Sequence, residues 1–258
     1  MFTVDLHSHI LPEMDDGASN VNISLSLLRK EMKQGINQVV FTPHYYPLNE
    51  SVEEFVGRRE IAWNILQDAI SGTDLQNNIE FYKGAEIRFS PALVEFDDLK
   101  SLCISGTNVL LIEFTPNHFP EFAEEILYRL QVRGFQILLA HVERFPWLRK
   151  DPEFLYRLVC SGVYAQFNAD SVISDSEKSS FIHNMLKYGL LHGIGSDTHN
   201  LDTRPPYINE AGTYLSKKEG ADVVDYLNQF SIDLLAGKHP RMLPPTMPKK
   251  SFWDFFRK

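Results

Sequence analysis

Seven short apolar runs, rich in β-branched and aromatic residues, punctuate the chain, and each ends on a polar residue: FTVDLHSH, INQVVFTPH, IEFYKGAE, TNVLLIEF, FQILLAH, VYAQFN and LHGIGSD. Between them, apolar positions recur at helical spacing over 23–34, 52–70, 121–132, 152–160 and 176–188. Near-continuous apolar strands alternating with helices predict a parallel sheet covered on both faces. The strand ends, His9, His44, Glu86, Glu113, His141, Asn168 and Asp197, follow one another at about the length of a β-plus-α unit. That count favours a barrel-like α/β arrangement over an open doubly wound sheet. Gly35, Gly134, Gly162 and Gly189 precede four of the strands, where a glycine ending the previous helix is expected. At 258 residues the chain suits a single domain of this kind. Residues 1–240 read as that domain and 241–258 as a tail, with KKSFWDFFRK at its end taken as a packing segment.

Chemistry gathers at the same strand ends. Residues two apart on a strand face one side, so His7 and His9 can point together at one ion, and so can Asp197 and His199 in GSDTH. In α/β barrels, active sites are built at the carboxyl ends of the strands. That rim would collect His7, His9, Asp16, His44, Glu86, Glu113, His141, Asp197 and His199, too many imidazoles and carboxylates for one metal. A lone H-x-H or strand-end aspartate means little, since the latter is commonly a helix cap. Six of seven strand ends carrying such a residue points to a polynuclear centre. His118, His183, His192 and His239 fall outside the pattern and read as structural or solvated. Cys103 and Cys160 are in no metal-binding spacing, so the donors are nitrogen and oxygen, suited to Mn, Fe, Zn or Mg. Clustered cations of this type lower the pKa of bound water and clamp both oxygens of an in-line displacement, which points to phosphoester hydrolysis by a metal-bridging hydroxide. Arg144 in AHVERF and Arg204 after SDTHN are the candidates to hold phosphoryl oxygens.

The totals exclude other classes. A formal charge of -9 argues against nucleic acid, whose phosphates require a basic surface. No apolar run reaches the length of a membrane span, and Asp5, His7 and His9 interrupt the start where a secretory leader would need an apolar stretch, so a soluble, cytoplasmic protein without membrane insertion is expected. A cysteine-dependent phosphatase would need C-x5-R; six residues beyond Cys103 stands Val109, and beyond Cys160 stands Gln166.

Read in order, DLHSH, DDG, TPHY, GAEIR, IEF, AHVERF and SDTHN resemble the PHP (polymerase and histidinol phosphatase) superfamily, and most of all its CpsB/CapC branch of bacterial manganese-dependent protein-tyrosine phosphatases associated with capsule and exopolysaccharide production. The likeness runs from Asp5 to Arg204. It implies a distorted (β/α)7 TIM-like barrel with three divalent ions, manganese first. His7, His9, Glu86 and Asp197 would hold the first ion, and Glu86, Glu113 and His141 the second. Asp16, His44 and His199 would hold the third, with Asp15 the alternative to Asp16. The implied partner is a phosphotyrosine protein, typically a bacterial tyrosine kinase; the oligomeric state is left open. Tyr45, Tyr46 and Phe89, just after ligand-bearing strands, are placed either to flank an aromatic substrate ring or to pack at the rim. The rivals are a histidinol-phosphate phosphatase on the same scaffold and a metal-bound scaffold without catalysis.

Overall fold

The computed structural model describes residues 1–174 and 176–249. Each of the seven apolar runs contains strand. β1 is Val4–Ser8, β6 Val109–Glu113, β7 Gln136–Leu139, β8 Tyr164–Asn168 and β9 Gly193–Gly195. The second run splits into β2 (Gln38–Phe41) and β3 (His44–Tyr45), and the third into β4 (Glu80–Lys83) and β5 (Glu86–Arg88). All pairings are parallel, in the orders β1-β2-β4 and β3-β5-β6-β7-β8-β9. β1, β6 and β8 are buried at every position, as a sheet covered on both sides requires.

The second run breaks at Pro43, which has no N–H to give a ladder. The chain stays in register across it, because the Pro43 carbonyl accepts the Glu86 N–H at 3.0 Å. Where β9 ends, the backbone turns towards β1. Asp197 N–H donates to the His7 carbonyl (2.8 Å), and His9 N–H to that of Thr198 (3.0 Å). Ser196 adds a hydroxyl bond to the buried Asp5 carboxylate at 2.6 Å.

The expected helices are present with ends moved by at most two residues: α1 at Val21–Lys33, α2 at Val52–Ile70, then Ala123–Val132, Pro152–Cys160 and Glu177–Lys187. Local chemistry starts them. Asn20 caps α1 by accepting the N–H groups of Asn22 and Ile23, and Ser51 with Glu54 forms a capping box on α2. The four strand-preceding glycines all have positive φ, from 67° to 90°. Two helices that the apolar spacing above does not include, Ile208–Glu219 and Ala221–Leu235, are the last among the described residues.

The core has two parts. The larger lies between sheet and helices; the smaller joins Val4, Leu6, Val109, Leu111 and Leu138 to Phe230 and Leu234 of the last helix. Glu113 follows Val109 and Leu111 on one face of β6, so burial of that apolar face carries the carboxylate inward at the strand's end. No helix among the described residues is long and apolar enough to cross a membrane. The KKSFWDFFRK segment, apart from Lys249, lies outside the described residues.

Candidate metal centre

All nine expected residues come together at one rim: most stand at or past the carboxyl ends of strands, His44 and Glu86 open β3 and β5, and Asp16 comes from the loop after β1. Their donor atoms form four interlocking groups, each within 4.8 Å: His9, Asp16, His44 and His199; His7, His9 and Asp197; His7, Glu86 and His141; His44, Glu86 and Glu113. His7, His9, His44 and Glu86 each belong to two groups that hold different neighbours. The partition differs in detail from the implied one: His9 joins Asp16, His44 and His199, while His141 and Glu113 meet Glu86 in separate sets.

Glu86 is the hub. Its Oε1 stands 2.7 Å from His141 Nε2; its Oε2 stands 2.8 Å from His44 Nδ1, 3.4 Å from His9 Nε2 and 3.5 Å from His7 Nε2. Burial pushes its carboxyl up, but the imidazoles of His7, His141 and His44 outweigh this and hold it well below the usual carboxylate range. Asp197 shows the same balance, with burial opposed by His7, His9 and His141.

Asp197 divides its two oxygens. Oδ1 faces His9 Nε2 (3.4 Å) and His7 Nε2 (3.6 Å). Oδ2 accepts from Asn168 Nδ2 (2.6 Å) and Arg144 Nη1 (2.7 Å), and pairs with Arg204 Nη2 at 2.7 Å. Beside it lies a recess of about 170 Å³, lined among others by Arg144, Asn168, Lys178, Ser196 and Arg204. Both expected arginines are thus at the site, anchored on a carboxylate shared with the histidines.

The donor set fits cations on two observations. His7 and His9 face one another through Nε2 atoms 3.1 Å apart in a buried setting, a contact that needs a shared proton or a shared cation. Glu86 Oε2 and His199 Nε2 are buried yet make no hydrogen bond among the described residues. His199 is held as a neutral ligand would be: its Nδ1 donates to the Asp197 carbonyl (2.9 Å), and burial with the neighbouring His9 pushes its pKa down to about 3.

The two aspartates of DDG separate. Asp16 Oδ1 lies 3.4 Å from His199 Nε2 and 3.5 Å from His44 Nε2. Asp15 Oδ2 accepts from His9 Nδ1 (2.7 Å) and from the His44 N–H (2.9 Å), turning His9 Nε2 inward. Gly17 permits this fold of the loop, since a Cβ there would stand 2.2 Å from the His9 carbonyl oxygen. His141 and Asp197 adopt left-handed backbone, φ 30° and 51°, a conformation that costs a non-glycine residue of order 1–3 kcal/mol and is retained where surrounding contacts fix it.

Sequence reasoning missed the residues that hold these ligands. Gln166 Oε1 accepts the His141 N–H (2.8 Å) and stands 3.3 Å from His7 Nδ1, while its amide donates to Asn168. Two amides on one face of an otherwise apolar strand, in YAQFN, were the available signal. Arg88, two residues beyond Glu86 and so on its face, pairs with Glu113 at 2.8 Å. Of the aromatics expected to flank substrate, Tyr45 is corrected: it is fully buried, packed on Phe55, because the α2 core claims it. Tyr46 is half-buried beside the His44 ring, and Phe89 packs edge-on against Phe114. Of the four outlying histidines, His192 is in the core with its Nδ1 accepting the Ala165 N–H, His183 pairs with Glu219, and His118 and His239 are exposed. None belongs to the donor groups.

Comparison with known proteins gives the family and the fold. The family described as "Capsular polysaccharide synthesis, CpsB/CapC" matches residues 3–231. Tyrosine-protein phosphatase YwqE of Bacillus subtilis is 32% identical over 98% of this chain and 100% of its own length. Tyrosine-protein phosphatase CpsB of Streptococcus pneumoniae is 30% identical over 84% of this chain and 91% of its own. A chain from "Crystal structures of YwqE from Bacillus subtilis and CpsB from Streptococcus pneumoniae, unique metal-dependent tyrosine phosphatases" superposes with a TM-score of 0.82 at 30% identity, covering 96% of this chain and 100% of that one.

Proposed function

The chain belongs to the CpsB/CapC family, and from that premise we propose that it is a metal-dependent protein-tyrosine phosphatase. The observation that carries this reading is the convergence of nine imidazoles and carboxylates on four interlocked donor groups, with Arg144 and Arg204 fixed at the edge through Asp197.

We read the two curled sheets as one distorted (β/α)7 ring. β2 runs into β3 and β4 into β5, while β1 meets the turn after β9; residues 1–240 are kept as one domain. Three divalent ions fit four groups that share members, manganese being the first choice. Asp16 rather than Asp15 is assigned as ligand, because Asp15 is occupied by His9 and His44. Bound ions would supply a water of lowered pKa and positive charge for the phosphoryl oxygens.

The remaining work falls to the chain. Gln166, Asp15 and the Asp197 carbonyl aim His7, His9 and His199. Arg144 and Arg204 hold phosphoryl oxygens at the recess, their forks matching that geometry. A phenol, with a pKa near 10, leaves more readily than an alkoxide, which favours an aryl ester. The substrate class is a phosphotyrosine protein, supported by the names of the relatives; a bacterial tyrosine kinase of capsule production is the finer reading.

Purified chain should hydrolyse phosphotyrosine peptide and 4-nitrophenyl phosphate with Mn²⁺ and lose that activity in chelator. Absence of turnover with any divalent ion would favour a scaffold, and faster release from histidinol phosphate would favour that substrate. Asp15→Asn is expected to weaken divalent-ion binding about 10- to 100-fold in a calorimetric titration, as losing a ligand-orienting partner does. Unchanged affinity would remove Asp15 from that role.

A further inference from the structure

One arginine at the rim has no part in the mechanism above. Arg88 Nη2 lies 2.8 Å from Glu113 Oε2, yet that buried oxygen accepts no hydrogen bond. The guanidinium therefore neutralises the carboxylate without aiming its N–H bonds at it. Its Cζ stands 5.5 Å from the centre of the Tyr46 ring, and that ring stands 5.5 Å from the ring of His44. Arg88 remains 25% exposed and Tyr46 half-buried, so a planar cation and part of an aromatic ring, packed between Arg88 and His44, reach solvent next to two of the candidate ligands.

The arrangement repeats, on another side of the cluster, what Asp197 does. Each of these two carboxylates offers one oxygen to histidine, Asp197 Oδ1 to His9 and Glu113 Oε1 to His141 at 3.5 Å, and the other to arginine. The Asp197 side has two arginines, a recess and no aromatic ring among the residues lining it. The Glu113 side has one arginine and an aromatic ring. A substrate that is itself a phosphate joined to a ring has two ends to match these two sides.

We propose that Arg88 and Tyr46 form the leaving-group site: the substrate's ring lies against Tyr46, and Arg88 donates to the ester oxygen as the bond to phosphorus breaks. This rests on the phosphatase reading. In the step, the oxygen of water forms a bond to phosphorus, one of its two protons passing to solvent, and the bond from phosphorus to the aryl oxygen breaks. The bonding pair leaves on the aryl oxygen as phenolate, which then takes a proton from solvent. Arg88 keeps its own proton, since a guanidinium does not deprotonate in proteins, and acts by charge and hydrogen bonding alone.

The experiment is a series of aryl phosphates, from acidic to weakly acidic phenols, plus a phosphotyrosine peptide, run on wild type, Arg88→Lys and Arg88→Met. A group that stabilises developing phenolate matters more as the phenol becomes less acidic. Arg88→Met should lower kcat/KM by about 100-fold for the peptide and the least acidic phenols, and by about threefold or less for the most acidic. Arg88→Lys should fall between. Because Arg88 also supports Glu113, all variants are loaded with excess Mn²⁺, and manganese content by plasma emission should then match wild type in both variants. An active wild type with an Arg88→Met loss equal across the series, or accompanied by loss of metal, overturns the proposal and leaves Arg88 a support for Glu113. A wild type that turns over no aryl phosphate overturns the phosphatase reading, and this proposal with it.

Discussion

Glu86→Gln is expected to lower kcat/KM for aryl phosphates by about 10³-fold or more in a chain that still folds. Four imidazole nitrogens lie within 3.5 Å of this one carboxylate, His141 on Oε1 and His44, His9 and His7 on Oε2. Glutamine keeps the volume and loses the charge, and whichever oxygen becomes an amide turns a donor pair towards nitrogens meant to bind cations. Losing metal-based charge stabilisation of several kcal/mol, at about 1.4 kcal/mol per factor of ten, gives the stated size. Metal content by plasma emission should fall in parallel, while far-ultraviolet circular dichroism stays that of wild type. A Glu86→Gln chain with wild-type turnover at saturating Mn²⁺ would remove Glu86 from the centre of the site.

The strands were legible because each is an apolar run that stops at a polar residue, and the ligands because they are those stopping residues. His7, His9, Glu113, His141, Asp197 and His199 stand at or just past a strand end, and His44 and Glu86 close apolar runs while opening the short strands β3 and β5, so period and punctuation sufficed to collect them. Asp16 came from the loop motif alone, and its separation from Asp15 required three dimensions. One-letter adjacency cannot tell which carboxylate folds back on His9 and which faces His199. The same limit hid Gln166 and Asn168, whose function is to hold ligands supplied by strands up to 159 residues away, as for Gln166 and His7. The closing helix Ala221–Leu235 was readable in principle, since Val224, Leu227, Phe230, Ser231, Leu234 and Leu235 are buried at helical spacing. Its part in plugging the inner core was not, because that depends on which end of the sheet it reaches. Tyr45 and Tyr46 differ by one residue and have opposite fates, for neighbours in an extended segment face opposite ways.

Asp197→Asn separates charge from backbone more cleanly than any other substitution at the site. Its φ of 51° lies in the left-handed region that asparagine tolerates and alanine does not, so the turn after β9 should survive. The amide must then choose. With its NH2 towards Arg144, Arg204 and Asn168, it opposes donors on three groups that now converge on Oδ2 at 2.6–2.7 Å. With its NH2 reversed, it faces His7 and His9 and spoils a ligand position. Either orientation damages one of the two functions that meet on this side chain, and the neutral oxygen left behind serves the other poorly. A loss of about 10³-fold in kcat/KM is expected, in the range seen when one preorganised charge-stabilising contact is removed. Inorganic phosphate, as a competitive inhibitor, should discriminate: its inhibition constant should rise more for Asp197→Asn than for Glu86→Gln, because only Asp197 fixes the arginines. Equal rises in the two variants would mean that Arg144 and Arg204 do not hold phosphoryl oxygens, and that Asp197 acts through the cations alone.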